Sequence, residues 1–248
     1  ASDVLARNNV RVSGRGTRPM LFAHGFGCDQ NMWRLVAPEF ERDHRVVLLG
    51  DAAQCLGGII NEPGVFGGRV LGLPALRDRA HQLTHALKDA GIQTGDRVGT
   101  FMWNGSRHLE AYHAISCMGA VLHTLNIRLP DIDLEYIINH AADRIIIVDA
   151  DLLPKLEELA GRMPTVERIV VATEPGFEGW STKLPNAIDY EDFIKGKATR
   201  YAWPEIDENS PLGLCYTSGT TGKAKGVMYT HRSNYLHTIS IAMTDVMG

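Results

Sequence analysis

Four hydroxyl side chains, two glycines and two lysines fall within residues 217–225 of the run Tyr216-Thr-Ser-Gly-Thr-Thr-Gly-Lys-Ala-Lys-Gly226. Thr217, Ser218, Thr220 and Thr221 supply O–H donors, and Lys223 and Lys225 supply ammonium groups. Gly219 and Gly222 let the backbone turn and bring its N–H groups close to an anion. Such a donor-rich, cationic arc suits a polyphosphate. A polar β-turn between two strands is the plainer reading of the same residue types, and it explains little of their spacing. The nucleotide-binding pattern G-x-x-x-x-G-K-[ST] is not met, because Ala224 follows Gly222-Lys223.

A loop of this kind needs strands to hold its ends. Leu212-Gly-Leu-Cys-Tyr216 reads as a buried strand running into it, Val227-Met-Tyr-Thr230 as a strand leaving it, and Ser233 to about Asp245 as a helix behind. Upstream, Leu73, Leu76, Ala80, Leu83, Leu87 and Ala90 recur at helical steps, with Pro74 near the start and Gly91 just past the end. A strand is expected over Arg97–Met102, a helix over Arg107–Met118, and a strand over Ala120–Thr124. A helix opened by Asp131, a strand over Arg144–Val148, a helix over Leu152–Leu159 and a strand over Arg168–Ala172 follow. Strands alternating with helices predict an α/β fold, a mostly parallel sheet with helices on both faces. Residues 173–206 show no period and read as an irregular surface excursion.

With 248 residues, 44% of them hydrophobic and 22% charged, the chain can bury a core. A net charge of −4 without a basic run or basic-aromatic stripe argues against nucleic acid as a partner. No apolar stretch approaches the roughly 20 residues of a membrane-spanning helix, and the start lacks a signal-peptide pattern, so the cytoplasm is the expected location. Cys28, Cys55, Cys117 and Cys215 form no paired motif, which predicts free thiols and no metal site. His108 and His113 miss the spacing of a helical metal pair, and these two, with His123 and His140, read as core or surface histidines. Asp149 and Asp151 read as a strand-end turn, and Trp103 and Tyr112 as packing aromatics.

Three segments follow from composition. Residues 1–50 read as strand, loop, helix and strand: Met20–Ala23, a turn at His24-Gly-Phe-Gly-Cys28, a short helix over Asn31–Phe40, and Arg45–Leu49. The turn at His24 and Gly25 could face an oxyanion or be an ordinary βα connection. Residues 51–72 are glycine-rich and read as a linker or joint, and residues 73–248 form the third segment.

From Leu214 to Lys225 the loop resembles, residue for residue, the signature of the adenylate-forming superfamily of acyl-CoA synthetases, luciferases and peptide-synthetase adenylation domains. Further blocks, Trp103–Tyr112, Met118–Leu129 and Tyr136–Arg144, resemble medium- and long-chain fatty-acyl-CoA synthetases in order. The resemblance implies ATP-dependent conversion of a fatty acid to an acyl adenylate and pyrophosphate, then capture by coenzyme A. Its cofactors are ATP, Mg²⁺ and coenzyme A, and its partners are small-molecule substrates, namely ATP, a fatty acid and coenzyme A, with no nucleic acid. It assigns Thr217, Ser218, Gly219, Thr220, Thr221, Gly222, Lys223 and Lys225 to the ATP phosphates. Ala224 and Ile127 stand where proline is usual, which bears on local geometry alone.

Leu5–Val12, His24–Trp33 and His44–Leu48 resemble the opening of an α/β-hydrolase, in which His24 and Gly25 would help form the oxyanion hole. No G-x-S-x-G elbow accompanies them. The blocks that would bring adenine, ribose and Mg²⁺ contacts and the catalytic lysine are not in these 248 residues. The expectation is therefore a hybrid, truncated ligase that binds ATP weakly and does not turn over alone. A non-catalytic or folding-defective fragment and a hydrolase remnant stand as alternatives.

Overall fold

The structure, a computed structural model, describes residues 11–16, 18–22, 37–48, 73–173, 179–217 and 223–242. It divides into two compact units, Ala1–Leu76 and Arg77–Gly248.

In the first unit three strands form a sheet in the order β1-β3-β2. β2 (Arg18–Phe22) runs parallel to β3 (His44–Leu48), and β1 (Arg11–Ser13) runs antiparallel to β3. The two expected strands are present, and β1 is a third that the sequence did not announce, since three residues cannot show an alternation. Of the expected helix over 31–40, Ala37–Phe40 form a single 3-10 turn, and residues 31–36 lie outside the described residues.

The second unit is built on a seven-stranded sheet, order β10-β9-β5-β4-β6-β7-β8. Its strands are β4 (Arg97–Phe101), β5 (Val121–Thr124), β6 (Ile145–Asp149), β7 (Arg168–Ala172), β8 (Ala187–Asp189), β9 (Pro211–Thr217) and β10 (Lys225–Thr230). Every pairing is parallel except β10 against β9. The helices are α1 (Leu73–Asp89), which enters the second unit at Arg77, α2 (Ser106–Cys117), α3 (Asp131–Ala141), α4 (Leu153–Glu157), α5 (Tyr190–Ile194) and α6 (His231–Ala242).

The near-continuous apolar run of β6 follows from its position, because both of its faces are covered. Ile145 and Ile147 join one core with Leu83 and Leu87 of α1, Ala111, Ala114 and Ile115 of α2, and Phe193 of α5. Ile146 and Val148 join the other with Leu134, Ile137 and Ile138 of α3 and Leu156 of α4. The period of two in β6 and the threefold and fourfold steps in the helices are thus the same fact seen from two elements.

α1 ends as its sequence predicts. Gly91, at φ +90°, takes the left-handed position, with Gly91 N–H on Lys88 O at 2.9 Å and Ile92 N–H on Leu87 O at 3.0 Å. α3 ends in the same pattern with Ala142 at φ 54°, a conformation that disfavours any side chain, and Asp143 N–H bonds Ile138 O at 3.1 Å. That turn delivers the Asp143 carboxylate to the sheet. It lies over Gly99 of β4, where an added Cβ would stand 3.2 Å from Asp143 Oδ2 and 3.3 Å from Ile146 Cγ1. Glycine suits the position through close approach rather than backbone angle, since a Cβ would require its neighbours to give by a few tenths of an ångström.

Three expectations need correction. The excursion over 173–206 contains β8 and α5, too short to carry a period. Its α5 is capped by the Asp189 carboxylate, which accepts from Glu191 N–H at 2.8 Å. β9 is buried only in its middle, and β10 is exposed along most of its length because it forms the sheet edge, with Val227, Met228 and Tyr229 open to water. α6 starts at His231, two residues before the expected Ser233. Thr230 and Ser233 exchange hydrogen bonds of 2.9 and 3.0 Å across its first turn.

Candidate functional site

β9 and β10 form an antiparallel hairpin whose last paired residues are Lys225 opposite Thr217 and Gly226 opposite Tyr216. The connection, residues 218–224, therefore leaves the sheet at the carboxyl end of β9. Because β9 is parallel to β5, and β5 to β4, this is also the edge where the other parallel strands end. Ligands of open α/β sheets bind along that edge. Among the predicted phosphate contacts, Thr217, Lys223 and Lys225 are described, and all three are exposed. Ser218, Gly219, Thr220, Thr221 and Gly222 lie outside the described residues, as do His24 and Gly25.

The flanks of the loop rest on α3. The Tyr216 hydroxyl lies 2.7 Å from His140 Nδ1, and the two rings meet edge-on at 5.8 Å. Tyr136, one turn earlier on the same helix face, stacks on His140 at 5.2 Å and carries Lys223 Nζ 4.8 Å above its ring. Burial raises the Tyr216 phenol above its ordinary value, and the Asp143 carboxylate adds to it, so the hydroxyl stays protonated.

Beneath Tyr216 lies a pair that the sequence had left as ordinary core. His123 of β5 is fully buried, and its Nδ1–H donates to Asp143 Oδ1 and Oδ2 at 2.9 and 2.8 Å. His123 contacts the Tyr216 ring at 5.2 Å, and its Nε2 has no partner among the described residues. Burial raises the Asp143 carboxyl, with the His123 hydrogen bond opposing. No motif spacing marks this pair. Only the topology, which lays β5 beside β4 and the α3 turn above it, brings residues 123 and 143 together.

A second polar cluster lies where the chain leaving β4 passes to α2 on one face and the chain leaving β6 passes to α4 on the other. Asp149 accepts from Trp103 N–H at 2.6 Å and Asp151 from Trp103 Nε1–H at 2.9 Å, so both carboxylates fix the turn after β4. His108 is buried. Its Nδ1–H donates to Trp103 O at 3.0 Å and its Nε2 accepts from Thr100 Oγ1 at 3.0 Å. Burial lowers its pKa below 6.5. A histidine lowered in the folded state leaves the unfolded chain binding more protons between the two values, so stability is full above about pH 6.5 and falls as pH drops below it. Denaturant midpoints measured from pH 7.5 to 5.5 are expected to decline more steeply in the parent chain than in His108→Gln. Equal slopes would sink the assignment.

Lys155 Nζ bonds the Ile127 carbonyl at 3.2 Å and also the Leu129 carbonyl, and the side chain of Ile127 packs on the α3 core. Ala224 packs against the same core. Among the described residues no group of three His, Cys, Asp or Glu side chains could hold a metal ion, and no helix is long and apolar enough to cross a membrane. Cys117 and Cys215 are free thiols, and Cys28 and Cys55 lie outside the described residues.

Comparison with known proteins gives these features a family. The family model described as AMP-binding enzyme matches residues 64–247 and leaves residues 1–63 outside. A medium-chain-fatty-acid–CoA ligase of Ectopseudomonas oleovorans is 43% identical over 170 residues, covering 68% of this chain and 31% of that protein. A 3-methylmercaptopropionyl-CoA ligase of Ruegeria pomeroyi is 42% identical over 173 residues, 70% of this chain and 32% of that one. Among solved structures, the anthranilate CoA ligase AuaEII in complex with anthranoyl-AMP superposes with a TM-score of 0.59 at 28% identity, over 67% of this chain and 31% of that one. The chain thus spans about a third of the length of these relatives. With the model matching well over half of its residues, from before α1 to beyond α6, the chain belongs to the AMP-binding enzyme family, and acyl-CoA ligases are among its relatives.

Proposed function

We propose that these 248 residues carry the ATP-phosphate contacts of a fatty-acid–CoA ligase of the adenylate-forming type, and that they bind polyphosphate without completing the reaction alone. The observation that supports this best is the Thr217–Lys225 register. It holds a donor-rich loop and two lysines at the carboxyl edge of a parallel sheet, in a chain of this family.

In the overall reaction a carboxylate attacks the α-phosphorus of ATP, the bond to the bridging oxygen of pyrophosphate breaks, and the acyl adenylate then passes its acyl group to the thiol of coenzyme A. Carboxylate and triphosphate repel each other. Thr217, Lys223 and Lys225, with the hydroxyls and amides of 218–222, would take up the β- and γ-phosphate charge, lowering that repulsion and stabilising pyrophosphate as it leaves. Mg²⁺ would share the same charge, but the described residues offer no carboxylate cluster for it. Contacts to Mg²⁺, adenine, the acyl chain and coenzyme A belong in this reading to the longer ligase.

A second reading, a non-catalytic fragment, draws on the open apolar surface of β10 and α6, where Met228 is 56% and Tyr235 66% exposed.

Calorimetry of the chain with pyrophosphate separates the two. The expected result is measurable binding that Lys225→Ala weakens by roughly tenfold or more, the scale of one charge-assisted contact. Pyrophosphate exchange with ATP and decanoate should stay at the Lys225→Ala background. Indistinguishable binding by the two chains would sink the phosphate-site reading, and exchange well above background would sink the claim of incompleteness.

A further inference from the structure

We propose that Tyr136 and His140 of α3 are positioning residues for the phosphate loop, fastening both of its flanks so that Lys223 is held near the anion site before any anion arrives; this rests on the phosphate-site reading above.

The geometry is paired. His140 Nδ1 meets the Tyr216 hydroxyl at 2.7 Å on the outgoing flank, and the Tyr136 ring carries Lys223 Nζ at 4.8 Å on the returning flank. The two α3 rings touch each other at 5.2 Å, so the flanks share one support. That support is braced from below. Tyr216 leans on His123 at 5.2 Å, and His123 is fixed by both oxygens of Asp143. The result is a continuous stack from the sheet core through Tyr216 and His140 to Tyr136 and Lys223.

None of this is needed to close the hairpin, whose register ends at Thr217 and Lys225 through backbone pairing. Lys223 lies in the loop, two residues beyond the last pair, and a lysine there would ordinarily sample many rotamers in water. Ordering such a side chain on binding opposes affinity, and a contact that orders it beforehand favours binding. A cation over an aromatic face keeps its charge, so Lys223 can meet a phosphate while its stem stays against Tyr136.

Two measurements on the chain test this, with Tyr136→Leu, Tyr136→Phe and Tyr216→Phe. The first is the rate of tryptic cleavage after Lys223, taken relative to cleavage after Lys155 of α4, whose Nζ bonds the carbonyls of Ile127 and Leu129 and which reports general loss of structure. The second is pyrophosphate affinity. Tyr136→Leu is expected to raise the relative cleavage about fivefold and to weaken pyrophosphate about threefold, whereas Tyr136→Phe restores both to within about twofold of the parent. Tyr216→Phe, which deletes only the bond to His140, should raise relative cleavage about threefold.

A purely structural role for Tyr136 would speed cleavage after Lys155 and Lys223 alike. That result, or tighter pyrophosphate binding by Tyr136→Leu, overturns the proposal. Should Tyr136→Leu not fold, Tyr216→Phe decides between the two roles, and unchanged relative cleavage in that variant overturns the proposal as well. If the parent chain binds no pyrophosphate while relative cleavage still follows Tyr136 and Tyr216, the phosphate-site reading fails and the fastening of the flanks stands.

Discussion

Replacing Glu110 with alanine is expected to lower the unfolding free energy by about 3 kcal/mol, the scale for removing one partner of a buried charge network. Glu110 on α2 is fully buried. Its Oε1 accepts from Arg79 of α1 at 2.7 Å and from Arg107 at 3.1 Å, and its Oε2 accepts from the Tyr190 hydroxyl at 2.7 Å. Glu191 completes the set, 2.8 Å from Arg79 and 2.6 Å from Arg107. One carboxylate therefore joins α1, α2 and α5 on a single face of the sheet. Burial alone would lower the Arg79 guanidinium, and the Glu191 and Glu110 carboxylates outweigh it and raise it. Burial, then the Glu110 charge and hydrogen bond, hold the Tyr190 phenol well above its ordinary value. Without Glu110 the two arginines keep Glu191 and some water, which holds the loss to the lower end of the range for fully buried pairs. Tyr190→Phe should cost about 1 kcal/mol, because Glu110 keeps both arginines. In a urea series the double variant should lose less than the sum of the singles, since the tyrosine hydroxyl has no acceptor once Glu110 is gone. Strict additivity, or a Glu110→Ala loss below about 1 kcal/mol, would contradict the network.

How far the sequence carried depended on whether a signal was periodic, local or purely topological. α1 was legible end to end because its apolar steps, Pro74 and Gly91 each act within one turn. The Ile145–Val148 run announced a strand covered on both faces. β8 and α5 escaped notice because three strand residues show no alternation. Asp189, with Glu191 and Asp192 behind it, was still the local sign of a capped helix. The loop was recognisable because its chemistry is contiguous in the chain. Its support was not. Tyr136 and His140 lie on α3, His123 on β5, Asp143 in the turn before β6 and Tyr216 on β9, and no spacing rule links them. The one readable hint was two rings four residues apart on a single helix face. The same holds for Trp103 with Asp149 and Asp151, read as a packing aromatic and a strand-end turn and not as partners; Trp103 is 49% exposed and is held by its hydrogen bond to Asp151 rather than by packing.

That distinction bears on what each part is for. The helix termini and strand faces would serve any parallel α/β sheet, and they say little about phosphate. The stack from Asp143 to Lys223 connects a buried pair in the sheet to a lysine in the loop, which the helix termini and strand faces do not do.

Leucine at His123 and valine at Asp143 should therefore separate stability from phosphate binding. Either change alone is expected to cost about 2–4 kcal/mol. His123→Leu leaves a buried carboxyl with its histidine gone, and Asp143→Val leaves a buried Nδ1–H with no acceptor and adds volume where Gly99 is already close. The double variant removes both polar groups, and its stability should recover to within about 1 kcal/mol of the parent or exceed it, as when buried pairs give way to apolar side chains. The direction of the Asp143 shift agrees. A carboxyl raised in the folded state contributes stability that is present below its unfolded value of 3.8 and is lost as pH rises through the folded value, so ionising this buried group opposes folding. If the pair served stability, the double variant would be worse than either single. If it braces Tyr216, the double variant should fold as well as the parent yet bind pyrophosphate about threefold more weakly. Leucine can fill the volume beneath the tyrosine ring, but it cannot be fixed in one rotamer by two hydrogen bonds to a carboxylate. Urea midpoints of the four chains, read beside their pyrophosphate affinities, give both answers. Full recovery of stability together with unchanged affinity would reduce the pair to an ordinary piece of core.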